Sequence, residues 1–96
     1  MSVYVDACVP RSHADFRKKY LKGQLWCHLM ADTEQELHEF AELIGLRRSW
    51  CHRKSEYLHY DIVESKRDLA VRNGAIELSR KELVALLPKL PTEDRH

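Results

Sequence analysis

His59 and Asp61 stand two residues apart in the run YLHYDIV, and that spacing sets the first chemical expectation. Alternate residues of a strand share a face, so this imidazole and this carboxylate project together. A nitrogen and an oxygen donor side by side form a chelating arm suited to Zn, Mn or Fe. A second run, WCHLMADTEQELHEFAELIG, adds three groups of the same kind. His28 lies in its apolar part, Asp32 follows at the turn, and His38 falls at the edge of a helical stripe. Asp6, ending SVYVDA, is a further carboxylate at a strand end. Six groups are therefore expected to converge: Asp6, His28, Asp32, His38, His59 and Asp61. A hydrolytic metal site needs about three protein ligands and an open position for water. A leftover carboxylate would take a proton from that water. The expected activity is metal-dependent hydrolysis of a nucleotide or other phosphate-containing substrate, with a divalent ion such as Zn or Mn as cofactor.

Each group also has an ordinary use. Asp32 suits a helix N-cap. His28 suits a hydrogen-bonded core position, and His38 a boundary between core and solvent. His59 and Asp61 can bond to each other or to the backbone. His13, His52 and His96 read as loop or tail residues. Strand direction is a further constraint. Ligands in α/β sheets gather at C-terminal strand ends, which favours His28, Asp32 and Asp6. His59 begins its strand, so it meets His28 only if the two strands run antiparallel or the later one starts near Glu56.

The elements that must position these groups follow from periodicity. SVYVDA alternates small and apolar residues and predicts a strand, as does the compact apolar run QLWCHLM. Leu37, Phe40, Ala41 and Ile44 recur at helical spacing. Thr33 and Glu36 have capping-box spacing ahead of that stripe, and Gly45 supplies its stop. YLHYDIV is rich in aromatic and β-branched residues and predicts a strand. Ser65 and Asp68 are spaced to cap a helix over KRDLAVRN that Gly74 ends. AIEL predicts a last strand, and Ser79 with Glu82 repeats the capping box before KELVALLPK, where Pro88 breaks the helix. The portion ADFRKKYLKG reads as a short helix ending at Gly23. The expectation is one α/β domain over residues 1–96, with about four short strands in a partly parallel sheet and about three helices. Basic loops are expected at 7–23 and 46–58, and a frayed tail at 91–96.

Charge is ordinary in total and uneven in place. The net charge of +1 gives no global attraction to nucleic acid or acidic membranes. The segment LRRSWCHRKSEY nevertheless interleaves Arg47 and Arg48 with Trp50, a mixture that suits phosphate and base contacts. Lys66 and Arg67 sit in the first turn of a predicted helix, where the dipole disfavours cations and exposed amides favour an anion. Solvated charged loops account for the same residues. The competing function is therefore a non-catalytic accessory or inhibitor protein that binds a host protein or nucleic acid through its basic loops. Cys8, Cys27 and Cys51 are odd in number and form no C-x-x-C pair, so free thiols are expected. Cys27 and His28 are adjacent in a strand and point apart, which excludes a dyad. No nucleophile elbow, P-loop or dinucleotide fingerprint occurs. The N-terminal run shows no signal-peptide pattern and no apolar stretch is long enough to span a membrane, so a cytoplasmic location is expected.

Three phrases occur in order: VYVD, CHLMADTEQELHEFAELIGLRRSW and HYDIVESKRDLAVRNGAIEL. Together they resemble an uncharacterised family of bacteriophage and bacterial proteins, the domain of unknown function four-zero-three-one. The resemblance covers most of residues 3–78, and its more specific part runs from His28 and Asp32 through His38, Gly45, Arg47, Arg48 and Trp50. His59, Asp61, Lys66, Arg67 and Gly74 belong to the last phrase. Residues 7–23 are longer and more basic than the family's usual loop, and Cys51 and His52 replace a more typical aromatic and amide. The resemblance implies a phage-type protein, acting in the host cytoplasm if phage-encoded, and carries no activity with it.

Overall fold

The computed structural model describes residues 2–8 and 25–93. Strands β1 (Val3–Val5), β2 (Trp26–Ala31), β3 (Tyr60–Val63) and β4 (Ile76–Glu77) form one sheet in the order β3-β2-β1-β4. Helices α1 (Glu34–Leu43), α2 (Glu64–Arg72) and α3 (Arg80–Leu86) complete the domain, with 3-10 turns at Arg48–Trp50 and Leu87–Lys89. β2 pairs antiparallel with both β1 and β3, while β1 and β4 are parallel. The sheet is thus mixed, with its parallel pair at one edge, and the α/β expectation holds. The expected helix ending at Gly23, most of the basic loop 7–23 and the end of the tail lie outside the described residues.

Local signals set the helix ends. The Thr33 hydroxyl accepts from the Glu36 amide at 3.1 Å and caps α1. Gly45 has φ of +86°, a left-handed conformation that glycine adopts without a Cβ clash. The Leu46 amide donates to the Ala41 carbonyl at 2.8 Å and the Gly45 amide to Glu42 at 3.1 Å, the two bonds of a Schellman motif. Gly74, at φ +104°, closes α2 with the equivalent pair from Ala75 and Gly74. The expected caps of α2 are not used. That helix begins two residues earlier than KRDLAVRN, at Glu64, and its N-cap Val63 supplies no side-chain bond. α3 carries the full reciprocal box between Ser79 and Glu82, and Pro88 falls in the 3-10 turn that follows.

The two faces of the sheet bury different things. Cys27, Leu29 and Ala31 of β2, with Tyr60 and Ile62 of β3, pack under Leu37, Ala41 and Ile44 of α1 and Ala70 of α2. Burying each large aliphatic there stabilises by about 1.5–3 kcal/mol. The other face takes the alternate residues. Met30 joins Tyr57 and Leu90 in a smaller cluster, with Leu83, Leu86 and Leu87 packed against it. The C-terminal segment therefore covers one end of this second face. The Pro91 carbonyl fixes it by accepting the Leu58 amide at 2.9 Å.

Candidate functional site

Antiparallel pairing of β2 and β3 places His28 directly across from Asp61. The strand-direction constraint on His28 and His59 is met in this way. His59 precedes β3 and forms an antiparallel bridge with His52, the last turn of chain between them doubling back. The His52 amide donates to the His59 carbonyl at 2.7 Å. Three imidazoles consequently surround one carboxylate. His59 Nε2 is 3.4 Å and His28 Nε2 3.7 Å from Asp61 Oδ1, while His52 Nε2 is 3.2 Å from Asp61 Oδ2. The His52 ring stacks on His59 with centroids 5.0 Å apart, and the His28 ring meets His59 edge-on at 4.9 Å. One ligand atom each from His28, His59 and Asp61 lies within 4.8 Å of the others, so these three could hold a metal ion.

The outer nitrogens of the two inner histidines are engaged. Asp6 Oδ2 accepts from His28 Nδ1 at 2.7 Å, and Asp6 Oδ1 accepts the His28 backbone amide at 2.6 Å. The Tyr57 carbonyl accepts from His59 Nδ1 at 3.0 Å. With Nδ1 as donor in both rings, Nε2 is the atom each ring turns toward Asp61, and it offers a lone pair there when the ring is neutral. Hydrogen bonding and charge from Asp6 raise the His28 pKa, against the opposing effect of burial. A hydrogen bond from the His59 ring holds the Asp61 carboxyl below its usual range against the opposing effect of burial, and the charges of the neighbouring imidazoles add to this. Burial pushes the Tyr57 hydroxyl up to about 12, with Asp6 and Asp61 adding to the effect.

His38 and Asp32 are placed elsewhere. His38 lies on the helix-covered side of the sheet, since it bonds Tyr60, whose neighbour Asp61 points the other way. Its Nε2 donates to Glu34 Oε2 at 3.0 Å, so Nδ1 accepts from the Tyr60 hydroxyl at 2.7 Å. Both nitrogens are thus committed to the fold. Arg53 shares the same Glu34 oxygen at 2.7 Å, and that guanidinium, then His38, holds the Glu34 carboxyl down at about 2. A cleft of about 740 Å³ opens beside this group, lined by Glu34, His38, Glu39, Arg48 and Arg53 among others. Asp32 accepts the Ser2 amide at 2.8 Å and the Tyr4 hydroxyl at 2.7 Å, tying β1 to the end of β2. The cap of α1 is Thr33 rather than Asp32.

Among the cations, Lys66 Nζ donates to the Ile44 carbonyl at 2.6 Å, at the C-terminal end of α1. Arg67 Nε donates to the Asp6 carbonyl at 2.7 Å and its Nη1 pairs with Glu77 at 3.1 Å. The Arg47 guanidinium lies 5.9 Å from the Trp50 ring centroid, and Arg47, Arg48 and Trp50 are all exposed. His52 and Tyr57 were not expected in the cluster. The signal for His52 was its place seven residues before His59, at the mouth of a polar turn that can close a hairpin. Cys27 is buried and bonds the Ile62 carbonyl, and burial raises its pKa, which makes this thiol unreactive.

Fold and cluster together define a small α/β protein with a histidine–aspartate group on the sheet face that the two long helices leave uncovered. The family described as a protein of unknown function, DUF4031, matches residues 3–90, and the chain belongs to that family. No curated protein and no solved structure matches the chain. No helix among the described residues is long and apolar enough to cross a membrane.

Proposed function

We propose that this chain is a metal-dependent hydrolase of a phosphate-containing substrate, with a zinc ion held by His28, His59 and Asp61. The observation that carries this reading is the shared polarity of the two rings. Both use Nδ1 to donate, one to a carboxylate and one to a backbone carbonyl, and both aim Nε2 at Asp61. This is the outer bonding pattern that fixes metal-ligating histidines in the correct tautomer. His38 has the opposite arrangement and no nitrogen to spare.

The spacing supports zinc. Two atoms each about 2.0–2.1 Å from a tetrahedral ion stand about 3.3–3.4 Å apart. The separations from Asp61 Oδ1 are 3.4 Å to His59 and 3.7 Å to His28, close to that value before any ion draws them in. Three ligands leave a fourth position for water, which zinc would acidify for attack on phosphorus. His52, paired with the second Asp61 oxygen and 45% exposed, is the group best placed to exchange protons with solvent there.

The test is zinc content and zinc affinity of the purified protein, followed by turnover of bis-p-nitrophenyl phosphate. Stoichiometric zinc is expected in the wild type and in His38→Ala, and its loss in His28→Ala and His59→Ala. Folded protein that takes up no zinc at micromolar concentration would refute the metal site. Zinc without turnover of any phosphoester would refute the hydrolase. The alternative of a basic-loop binding protein rests on the exposed Arg47, Arg48 and Trp50. It predicts oligonucleotide binding with steep salt dependence in the metal-free protein.

A further inference from the structure

We propose that the cleft beside the cluster is a nucleobase pocket, which makes the substrate a nucleotide rather than a simple phosphate ester. The proposal rests on the hydrolase reading for its phosphate end only. The cleft has a volume of about 610 Å³, mid-range for a small-ligand site, and two of its lining residues, His52 and Asp61, belong to the cluster. A molecule seated in the cleft therefore borders the His52–Asp61 pair at the edge of the proposed site. The remaining lining includes both tryptophans, Trp26 and Trp50, with Val63, Ser49 and Lys66.

Those residue types set the ligand's shape. Indoles present flat π faces, which bind planar rings by stacking irrespective of the ring's hydrogen-bonding edge. Trp50 is 53% exposed, and the Arg47 guanidinium lies over its ring at 5.9 Å. A cation over one face and a base on the other is the layered arrangement that single nucleotides favour. Ser49 and Lys66 add polar groups for a base edge or a ribose. The ligand must thus carry a flat ring, a short polar spacer and an anion that meets the metal. A nucleoside monophosphate has all three, whereas a sugar phosphate lacks the ring.

The experiment is an NMR titration of zinc-loaded protein with adenosine 5′-monophosphate, adenosine and ribose 5-phosphate, repeated for Trp50→Ala and for His28→Ala. Wild-type protein is expected to bind the monophosphate at least about tenfold more tightly than ribose 5-phosphate, with shifts at the Trp50 indole. Loss of one stacked base should cost Trp50→Ala about tenfold or more for the monophosphate and leave zinc content and ribose 5-phosphate affinity unchanged. Adenosine should still shift the indole in His28→Ala, because the base pocket does not need the ion. Equal affinity for the monophosphate and ribose 5-phosphate, or an unchanged Trp50→Ala, would overturn the pocket. Absence of zinc with intact adenosine binding would instead overturn the metal site and leave the pocket standing.

Discussion

Replacing Asp6 by Asn changes almost no volume and ought to disable the cluster through one proton. Both oxygens of Asp6 accept bonds from His28, one from the backbone amide at 2.6 Å and one from Nδ1 at 2.7 Å. An Asn carboxamide has only one acceptor to offer. If its oxygen keeps the backbone amide, its NH2 faces Nδ1 and requires a lone pair there. The His28 proton must then move to Nε2, and the ring can no longer ligate an ion at that atom. The reverse orientation opposes an NH2 group to the backbone N–H at a spacing meant for a bond, which costs about 1–3 kcal/mol for the unsatisfied donor. Loss of such an orienting partner lowers metal affinity by about 10–100-fold, equivalent to about 1.4–2.7 kcal/mol. Calorimetric zinc titration measures the affinity, and long-range 15N–1H spectra of the imidazoles report the tautomer directly. Asp32→Asn is the control, because its carboxylate serves Ser2 and Tyr4 instead. An Asp6→Asn protein with wild-type zinc affinity, or with the His28 proton still on Nδ1 and no loss of stability, would refute the reasoning.

Three further outcomes follow from the scaffold. Glu34 has its pKa lowered to about 2 by Arg53 and then His38, so its contribution is fully present above its ordinary value of 4.5 and is lost as pH falls through about 2. Urea unfolding between pH 5 and pH 2 should therefore lose stability more steeply in wild type than in Glu34→Gln. Gly45→Ala should cost more than Gly74→Ala. Both sit at positive φ, worth about 1–2 kcal/mol each. Only at Gly45 would the added Cβ meet Lys66 Nζ, at 2.9 Å, and disturb its bond to Ile44. Thermal melts give the comparison, and equal losses would mean that the lysine yields freely. Leu90→Ala should destabilise by about 2–5 kcal/mol, because Leu90 is 1% exposed against Met30 and Tyr57. A loss below 1 kcal/mol in denaturant melts would show that the C-terminal cover is loosely held.

What the sequence made legible was the local structure. Gly45 and Gly74 mark the ends of α1 and α2 because only a left-handed residue completes the Schellman bonds found there. The stripe of Leu37, Ala41 and Ile44 packs on the sheet, and the H-x-D spacing puts His59 and Asp61 together. Asp6 and His28 also meet, as carboxylate and ring. What could not be read was partnership across the fold. His38 fits the ligand pattern by type and stripe position, yet the choice between sheet faces depends on which strand residue α1 covers, and that residue is Tyr60. Asp32 stood beside a stronger cap, Thr33, and its carboxylate was free to hold the start of β1. His52 belonged to a connection with no periodicity, so its bridge to His59 left only a faint mark. α2 lacks the expected caps because the chain passes from β3 into it without a turn.

The alternation at His59, Tyr60 and Asp61 explains why core packing and site chemistry are hard to separate in this fold. Tyr60 is buried under α1 and bonds His38, while the residues on either side of it point to the opposite face. A slip of one residue would exchange the two sets, burying Asp61 against Leu37 and Ile44 and exposing the tyrosine. That alternative is disfavoured twice. It would bury a carboxylate without its imidazoles, at a cost of several kcal/mol, and it would expose Ile62 as well. The register His28↔Asp61 is thus held by the apolar residues between the polar ones, Leu29 against Tyr60 and Cys27 against Ile62. The cluster inherits its distances from a core that has no part in its chemistry.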